Sequence, residues 1–199
     1  MKIQRFDNEE DWLDARLGRI TGTRLKDLVS KRGTGYKIGF YEIIAERIAI
    51  PANTENVMDR GKRLEDEALE RFAKETKKKV NNDLVIWHRD DDENIAVSPD
   101  GSVGKTEAVE CKCLSSARHL EAWITKKIPD DYEMQALQYF IVNEKLKTLY
   151  FVFYDPRMPK DFFWLEIHRK DVKQKVEDYL ALERDVLAEI NRIEKELTF

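Results

Sequence analysis

Three charged residues stand out for the chemistry their spacing allows. Asp100 lies in Ser98-Pro-Asp-Gly101, and Glu110 and Lys112 lie in Glu107-Ala-Val-Glu-Cys-Lys-Cys113. The second segment reads as a strand, along which side chains alternate between faces. Val109, Cys111 and Cys113 then share an apolar, core-like face, and Ala108, Glu110 and Lys112 share the other. Asp100 falls in a turn at the end of the preceding strand. If the two strands pair, Asp100 and Glu110 meet at one edge of the sheet. Close carboxylates repel, and one takes up a proton unless a cation lies between them. Mg2+ suits that place, because it prefers one or two carboxylates completed by waters and phosphate oxygens. A neighbouring lysine can orient or deprotonate an attacking water, or stabilise charge developing on a phosphate. The plainer alternative is a charged hairpin face. A match of this kind arises by chance in roughly one chain in twenty of this length.

Glu65 weighs against the plainer alternative. On a helix it lies within a turn or two of Ala68, Leu69 and Phe72, so it borders their apolar stripe, unlike Glu67 and Glu70. A carboxylate leaning into a core is costly unless compensated by a metal ion or a lysine. Arg16, followed by a Gly/Thr turn at Thr21–Thr23, offers a guanidinium fork, hydroxyls and the free N–H groups of a helix start. That set suits a phosphate, though Arg16 also reads as an ordinary surface arginine. Asp90-Asp-Asp-Glu93 is no calcium loop: a loop beginning at Asp90 needs Gly where Ile95 stands and Glu where Gly101 stands. The two cysteines and three scattered histidines (His88, His119, His168) make neither a zinc site nor a disulfide framework.

The elements that must position these residues follow from periodicity. The spacing predicts helices over Arg16–Lys31, Tyr36–Ala49 and Asp59–Lys79. Strands are expected at Leu84–His88, Ile95–Ser98 and Glu107–Cys113, with a polar turn over Arg89–Asn94. Helices follow over Ser116–Lys127 and Asp130–Asn143, then aromatic-rich strands over Lys147–Tyr154 and Asp161–His168. A long helix runs from Asp171 onward, its apolar residues recurring at steps of three and four. This order implies an α/β fold with a central mixed sheet flanked by helices. At 199 residues the chain is expected to form a single domain, 1–199, with its core over about 59–168.

Composition narrows the function classes. Lys+Arg of 35 against Asp+Glu of 39 gives a net charge of −4, which excludes a generally basic nucleic-acid coat and leaves room for a local basic surface. Hydrophobic residues at 42% exclude a disordered tail protein. Met1–Glu10 carries no apolar run of signal-peptide type, and no stretch approaches the ~20 apolar residues of a membrane span. A cytoplasmic location is the expectation.

Several separated segments together resemble the phage lambda-type exonucleases, or YqaJ-like viral recombinases, of the PD-(D/E)xK nuclease superfamily. They are Arg16-Leu-Gly-Arg-Ile-Thr-Gly-Thr23, Gly61-Lys-Arg-Leu-Glu65, Ser98-Pro-Asp-Gly101, Glu110-Cys-Lys-Cys113, Gln135 to Tyr139 and Tyr154-Asp-Pro-Arg-Met158. The resemblance runs from about Trp12 to Arg169. It implies the restriction-endonuclease-like core, with Asp100, Glu110 and the backbone carbonyl of Cys111 holding Mg2+. Glu65 would complete a second metal site, making two ions in all, with Mn2+ as a substitute. Lys112 would activate the water, and Gln135 would support the site, with Gln138 as its rival. Arg16, Thr23 and Ser98 would receive a terminal 5′ phosphate, and Met58 would stand where the family places an apolar wedge against the DNA end.

The activity implied is a Mg2+-dependent 5′-to-3′ exonuclease acting on linear double-stranded DNA. It would release 5′ mononucleotides and leave a 3′ overhang for a single-strand annealing protein. A homotrimeric ring around the DNA is implied as well. The alternatives are an endonuclease of the same fold in repair or restriction, and a non-catalytic DNA-end-binding protein.

Overall fold

The computed structural model describes residues 8, 11, 37–49 and 57–197, with side chains at 8 and 11, over 37–49 and 63–189, and at 192. The helix expected over Arg16–Lys31 lies outside the described residues. Those described form α1 (Ile38–Ile48), α2 (Val57–Thr76), β1 (Trp87–Arg89), β2 (Asp92–Val97), β3 (Gly101–Val103) and β4 (Glu107–Lys112). Then come α3 (Ser116–Thr125), a 3-10 turn (Asp130–Tyr132), α4 (Glu133–Val142), β5 (Thr148–Tyr154), β6 (Phe162–His168) and α5 (Arg169–Leu197). The α/β class and the long C-terminal helix are as expected. The main sheet has four strands in the order β3-β4-β5-β6, and β1 and β2 form a separate antiparallel pair.

Two compact units are distinguished. One comprises Glu65–Lys112, Ile128–Val152 and Trp164–Phe199, and holds most of the candidate site. Its core gathers Ala68, Phe72, Ala108, Val109, Phe140, Leu149, Phe151 and Val152, all fully buried. Phe72 lies 5.0 Å from the Tyr150 ring and meets Trp164 edge-on at 5.6 Å. Strand β4 runs between β3 and β5, and four consecutive residues, Ala108 to Cys111, are buried instead of alternating. A strand covered on both faces loses the two-residue rhythm.

The second unit joins the described part of Met1–Leu64 with Cys113–Lys127 and Phe153–Phe163. Helix α1 packs on α3 through Tyr41, Ala45, Ala117 and Leu120, with Met158 against them. Helix α3 begins cleanly because the Ser115 hydroxyl accepts from the Arg118 N–H, the usual role of an N-cap serine. It ends at Lys126, which takes the left-handed conformation at φ 54°.

The region before the site departs from expectation. Leu84, Val85 and Ile86 lie exposed outside any strand, and β1 begins only at Trp87. The expected turn over Arg89–Asn94 shrinks to Asp90–Asp91, because Arg89 is drawn into β1. Its guanidinium is buried and donates to the Ile141 carbonyl and to Glu144. Strand β2 therefore starts at Asp92, whose carboxylate accepts from the Asn94 N–H at 3.0 Å. The partner of β4 is also different: β2 pairs with β1, and the short β3 pairs with β4.

Candidate active site

The register of the β3–β4 hairpin brings the first two carboxylates together. Gly101 pairs with Val109, Ser102 with Ala108 and Val103 with Glu107, antiparallel. Continuing that register by one residue sets Asp100 across from Glu110. The hairpin closes through Gly104 at φ 61°, a left-handed position that glycine occupies without strain. Gly101 has a different reason. A Cβ there would lie 2.9 Å from Val80 Cγ1 and 3.1 Å from Leu69 Cδ2. Only the absence of a side chain lets β3 lie this close to α2. Leu69 follows Glu65 by one helical turn, so the same close approach draws Glu65 toward Asp100.

Glu110 is the most enclosed member, at 1% exposure. One of its oxygens, Oε1, accepts from Lys112 Nζ at 2.5 Å and from Gln135 Nε2 at 2.6 Å. The other, Oε2, accepts from the Tyr139 hydroxyl, which is itself fully buried. Asp100 Oδ2 accepts from the Cys111 backbone N–H at 2.7 Å. The Lys112 ammonium also lies 5.0 Å from the centre of the Tyr132 ring.

The electrostatics follow from this crowding. Burial and the neighbouring charges of Glu110 and Glu65 push the Asp100 carboxyl up to about 7, against the counteracting Cys111 N–H and Lys112. Burial favours neutral Lys112, but the Glu110 carboxylate outweighs it through charge and hydrogen bond and holds the amine above its ordinary value. Lys112 is thus an ammonium, suited to orienting a water or stabilising charge on a phosphate. The Tyr139 phenol is held protonated by burial and by Glu110.

The donor set fits an oxygen-seeking divalent cation. Asp100 and Glu110 are close, partly desolvated carboxylates whose repulsion a cation relieves, and Mg2+ needs only one or two carboxylates with waters. Among the described residues no three His, Cys, Asp or Glu side chains gather into a metal-binding group. Glu65 is half-buried and acts on Asp100 through its charge.

The other predicted residues fall as follows. Gln135 is the glutamine on Glu110, whereas Gln138 turns toward the Ala96 carbonyl at 3.4 Å. Ser98 is exposed, two residues before Asp100. Arg16 and Thr23 lie outside the described residues, and Met58 stands in α2 with its side chain outside them. Tyr139 escaped the reading of individual roles because a tyrosine in an apolar helix looks like packing. The available signal was its place four residues after Gln135, on the same face of α4.

Comparison with known proteins gives a consistent result. A family model for the YqaJ-like viral recombinase domain matches residues 11–146. No curated protein matches the chain. A crystal structure of LHK-Exo in complex with dAMP is similar at 28% identity and a TM-score of 0.60, covering 94% of this chain and 97% of that one. A crystal structure of an alkaline exonuclease, LHK-Exo from Laribacter hongkongensis, is similar at 27% identity and a TM-score of 0.56, covering 95% and 100%.

Proposed function

Because the chain belongs to the YqaJ-like viral recombinase family, we propose that it is a Mg2+-dependent double-strand DNA exonuclease. It degrades one strand of linear duplex 5′ to 3′, releases 5′ mononucleotides, and leaves a 3′ overhang for a single-strand annealing protein. The similar structures are those of an alkaline exonuclease, one of them holding dAMP, which supports a nuclease hydrolase with a nucleotide product. The observation that carries the reading within this chain is the carboxylate pair: Asp100 across from Glu110, with Lys112 and Gln135 both on Glu110 Oε1.

Asp100 and Glu110, with the Cys111 carbonyl, would hold Mg2+, and Glu65 would serve a second ion; Mn2+ is the expected substitute. A divalent cation bound there supplies Lewis-acid polarisation of the phosphate and lowers the pKa of water. The remaining work belongs to the chain. Gln135 fixes the Glu110 carboxylate through Oε1. The Lys112 ammonium, tethered to the same carboxylate, orients the attacking water and balances charge gathering on the phosphate. Arg16, Thr23 and Ser98 receive the 5′ phosphate of the shortened strand, and Met58 wedges against the end. The whole chain, 1–199, acts as one exonuclease domain. A homotrimeric ring would let a protein of net charge −4 hold DNA, because basic residues need only line the channel. We place it in the cytoplasm; among the described residues no helix is long and apolar enough to cross a membrane.

The test is nucleotide release from end-labelled duplexes. Mg2+-dependent release of a 5′ label ahead of a 3′ label, from linear but not closed circular DNA, is expected. Nicking or cutting of the closed circle would favour an endonuclease, and tight end-binding without release would favour the non-catalytic alternative.

A further inference from the structure

The proposed metal centre depends on how firmly Glu110 is held. Of its two oxygens, Oε1 is shared by Lys112 and Gln135. Both of these side chains retain some exposure. The partner of Oε2 differs in kind: the Tyr139 hydroxyl comes from inside the protein and is 0% exposed. Tyr139 is carried by α4, between the buried Ala136, Leu137 and Phe140, and its ring meets Trp87 edge-on at 6.3 Å. A phenol fixed in this way has no freedom to follow a moving carboxylate, so the carboxylate is held to the phenol.

We infer that Tyr139 is a positioning residue for the metal centre: its buried hydroxyl fixes the Glu110 carboxylate through Oε2 and holds it in place across from Asp100 before any cation arrives. This rests on the reading of Asp100 and Glu110 as metal ligands. The physical basis is general. Groups that hydrogen-bond to a metal ligand orient it, and removing one such partner typically weakens metal binding by roughly ten- to a hundred-fold. Gln135 and Lys112 approach Glu110 from longer, more adaptable side chains, and the phenol supplies the rigid reference.

The experiment titrates Mg2+, and separately Mn2+, into the full-length protein without DNA by calorimetry. Wild type, Tyr139→Phe and Glu110→Gln are compared. Tyr139→Phe removes one oxygen and keeps the ring. Its metal affinity should fall roughly ten-fold or more. The Mg2+ concentration for half-maximal nucleotide release should rise in parallel, while the rate at saturating Mg2+ falls far less. Unchanged affinity in Tyr139→Phe, alongside weakened binding in Glu110→Gln, would overturn the role of Tyr139 and leave the metal site standing. Equal binding by all three proteins would overturn the metal site itself, and the role of Tyr139 with it.

A cycle of thermal stabilities covers the case in which Tyr139→Phe folds poorly. If the hydroxyl serves Glu110, Tyr139→Phe in a Glu110→Gln background should cost much less than in wild type. Equal losses in both backgrounds would make Tyr139 a packing residue and overturn the proposal.

Discussion

Two buried aspartates in this chain meet opposite fates. Asp155, 0% exposed in the unit built on α1 and α3, accepts from Arg157 Nε at 2.7 Å and Nη2 at 2.8 Å, and from the Ser116 hydroxyl at 2.5 Å. Burial alone would raise its carboxyl, but the Arg157 and Ser116 hydrogen bonds prevail and hold it below the ordinary value. Asp100 has one backbone N–H and two carboxylate neighbours, and is pushed up to about 7. Asp155 finds its cation within the chain, two residues away. Among the described residues, Asp100 and Glu110 share a single lysine. The difference separates a carboxylate neutralised by its own neighbours from a pair whose charge the described residues leave only partly balanced.

The sharpest break between the two should appear in activity. Asp100→Ala, Glu110→Ala and Lys112→Ala should each lower nucleotide release by roughly 10²–10³-fold or more, the scale for losing one preorganised electrostatic group. The two carboxylate variants should also bind Mg2+ more weakly in calorimetry, and Lys112→Ala should not. Asp155→Ala should leave release per folded molecule near wild type. Full activity in Lys112→Ala would remove the lysine from the chemistry.

Stability should divide them with opposite signs. Asp155→Ala strands the Arg157 guanidinium, which is 17% exposed. Removing one partner of such a pair costs about 3–5 kcal/mol. Asp100→Asn removes a repelled charge and keeps an oxygen for the Cys111 N–H. The carboxyl moves from 3.8 to about 7 on folding. At 1.36 kcal/mol per unit, ionised Asp100 costs the metal-free fold up to ~4 kcal/mol. Chemical denaturation at pH 8 with chelator should therefore find Asp100→Asn more stable than wild type and Asp155→Ala less stable. A loss of stability in both would erase the distinction.

A smaller effect is expected at Gly101. Gly101→Ala places a methyl against Val80 and Leu69 and should cost roughly 1–3 kcal/mol as overpacking. Because Asp100 is the next residue, nucleotide release should fall by more than stability alone explains. Normal activity in a folded Gly101→Ala protein would show that the close approach of β3 to α2 is not what sets Asp100.

How far the site was legible depended on element length. Glu107–Lys112 and the helices carrying Glu65 and Gln135 were readable because each is long enough to display a rhythm or a stripe. The nearness of Asp100 to Glu110 was also readable, but its cause was not. Gly101–Val103 is three residues, too short for alternation, so the Pro-Asp-Gly sequence read only as a turn. Gly101 in fact serves a tertiary contact that involves Leu69, thirty-two positions earlier in the chain. Leu84-Val85-Ile86 misled in the other direction: a β-prone run remains outside the sheet while buried Arg89 anchors the strand that follows. Choosing Gln135 over Gln138 needed the orientation of α4, which sequence spacing leaves open. Asp155 lay within a segment noted for family likeness, yet its role depends on Ser116, thirty-nine residues away.

The finest test concerns His119, which shares the unit of Asp155. Its Nε2 lies 2.7 Å from the Lys160 carbonyl, and its ring packs edge-on against Phe163 at 5.1 Å. Nε2 therefore carries the proton in the neutral ring, and Nδ1 is buried without a hydrogen-bond partner. A second proton would have to sit on Nδ1, with no acceptor, inside the protein. Burial accordingly lowers the His119 pKa from 6.5, outweighing the Lys160 carbonyl and the Asp155 charge. The sign follows. The folded state binds this proton less readily than the unfolded chain, so the contribution of His119 is fully present above pH 6.5 and is lost as pH falls through its lowered value. Asp100 works against this trend in metal-free protein. Its raised carboxyl gains stability as pH falls below about 7, and the two slopes partly cancel. Denaturation curves should therefore be compared in an Asp100→Asn background, with His119 present and with His119→Gln, whose amide can still donate to the Lys160 carbonyl. Stability should decline just below pH 6.5 when His119 is present and stay level when it is replaced, until carboxylates such as Asp155 begin to protonate below 3.8. Identical slopes in the two proteins would mean that the buried imidazole finds an acceptor on protonation, and this unit would no longer be the self-neutralised half of the comparison.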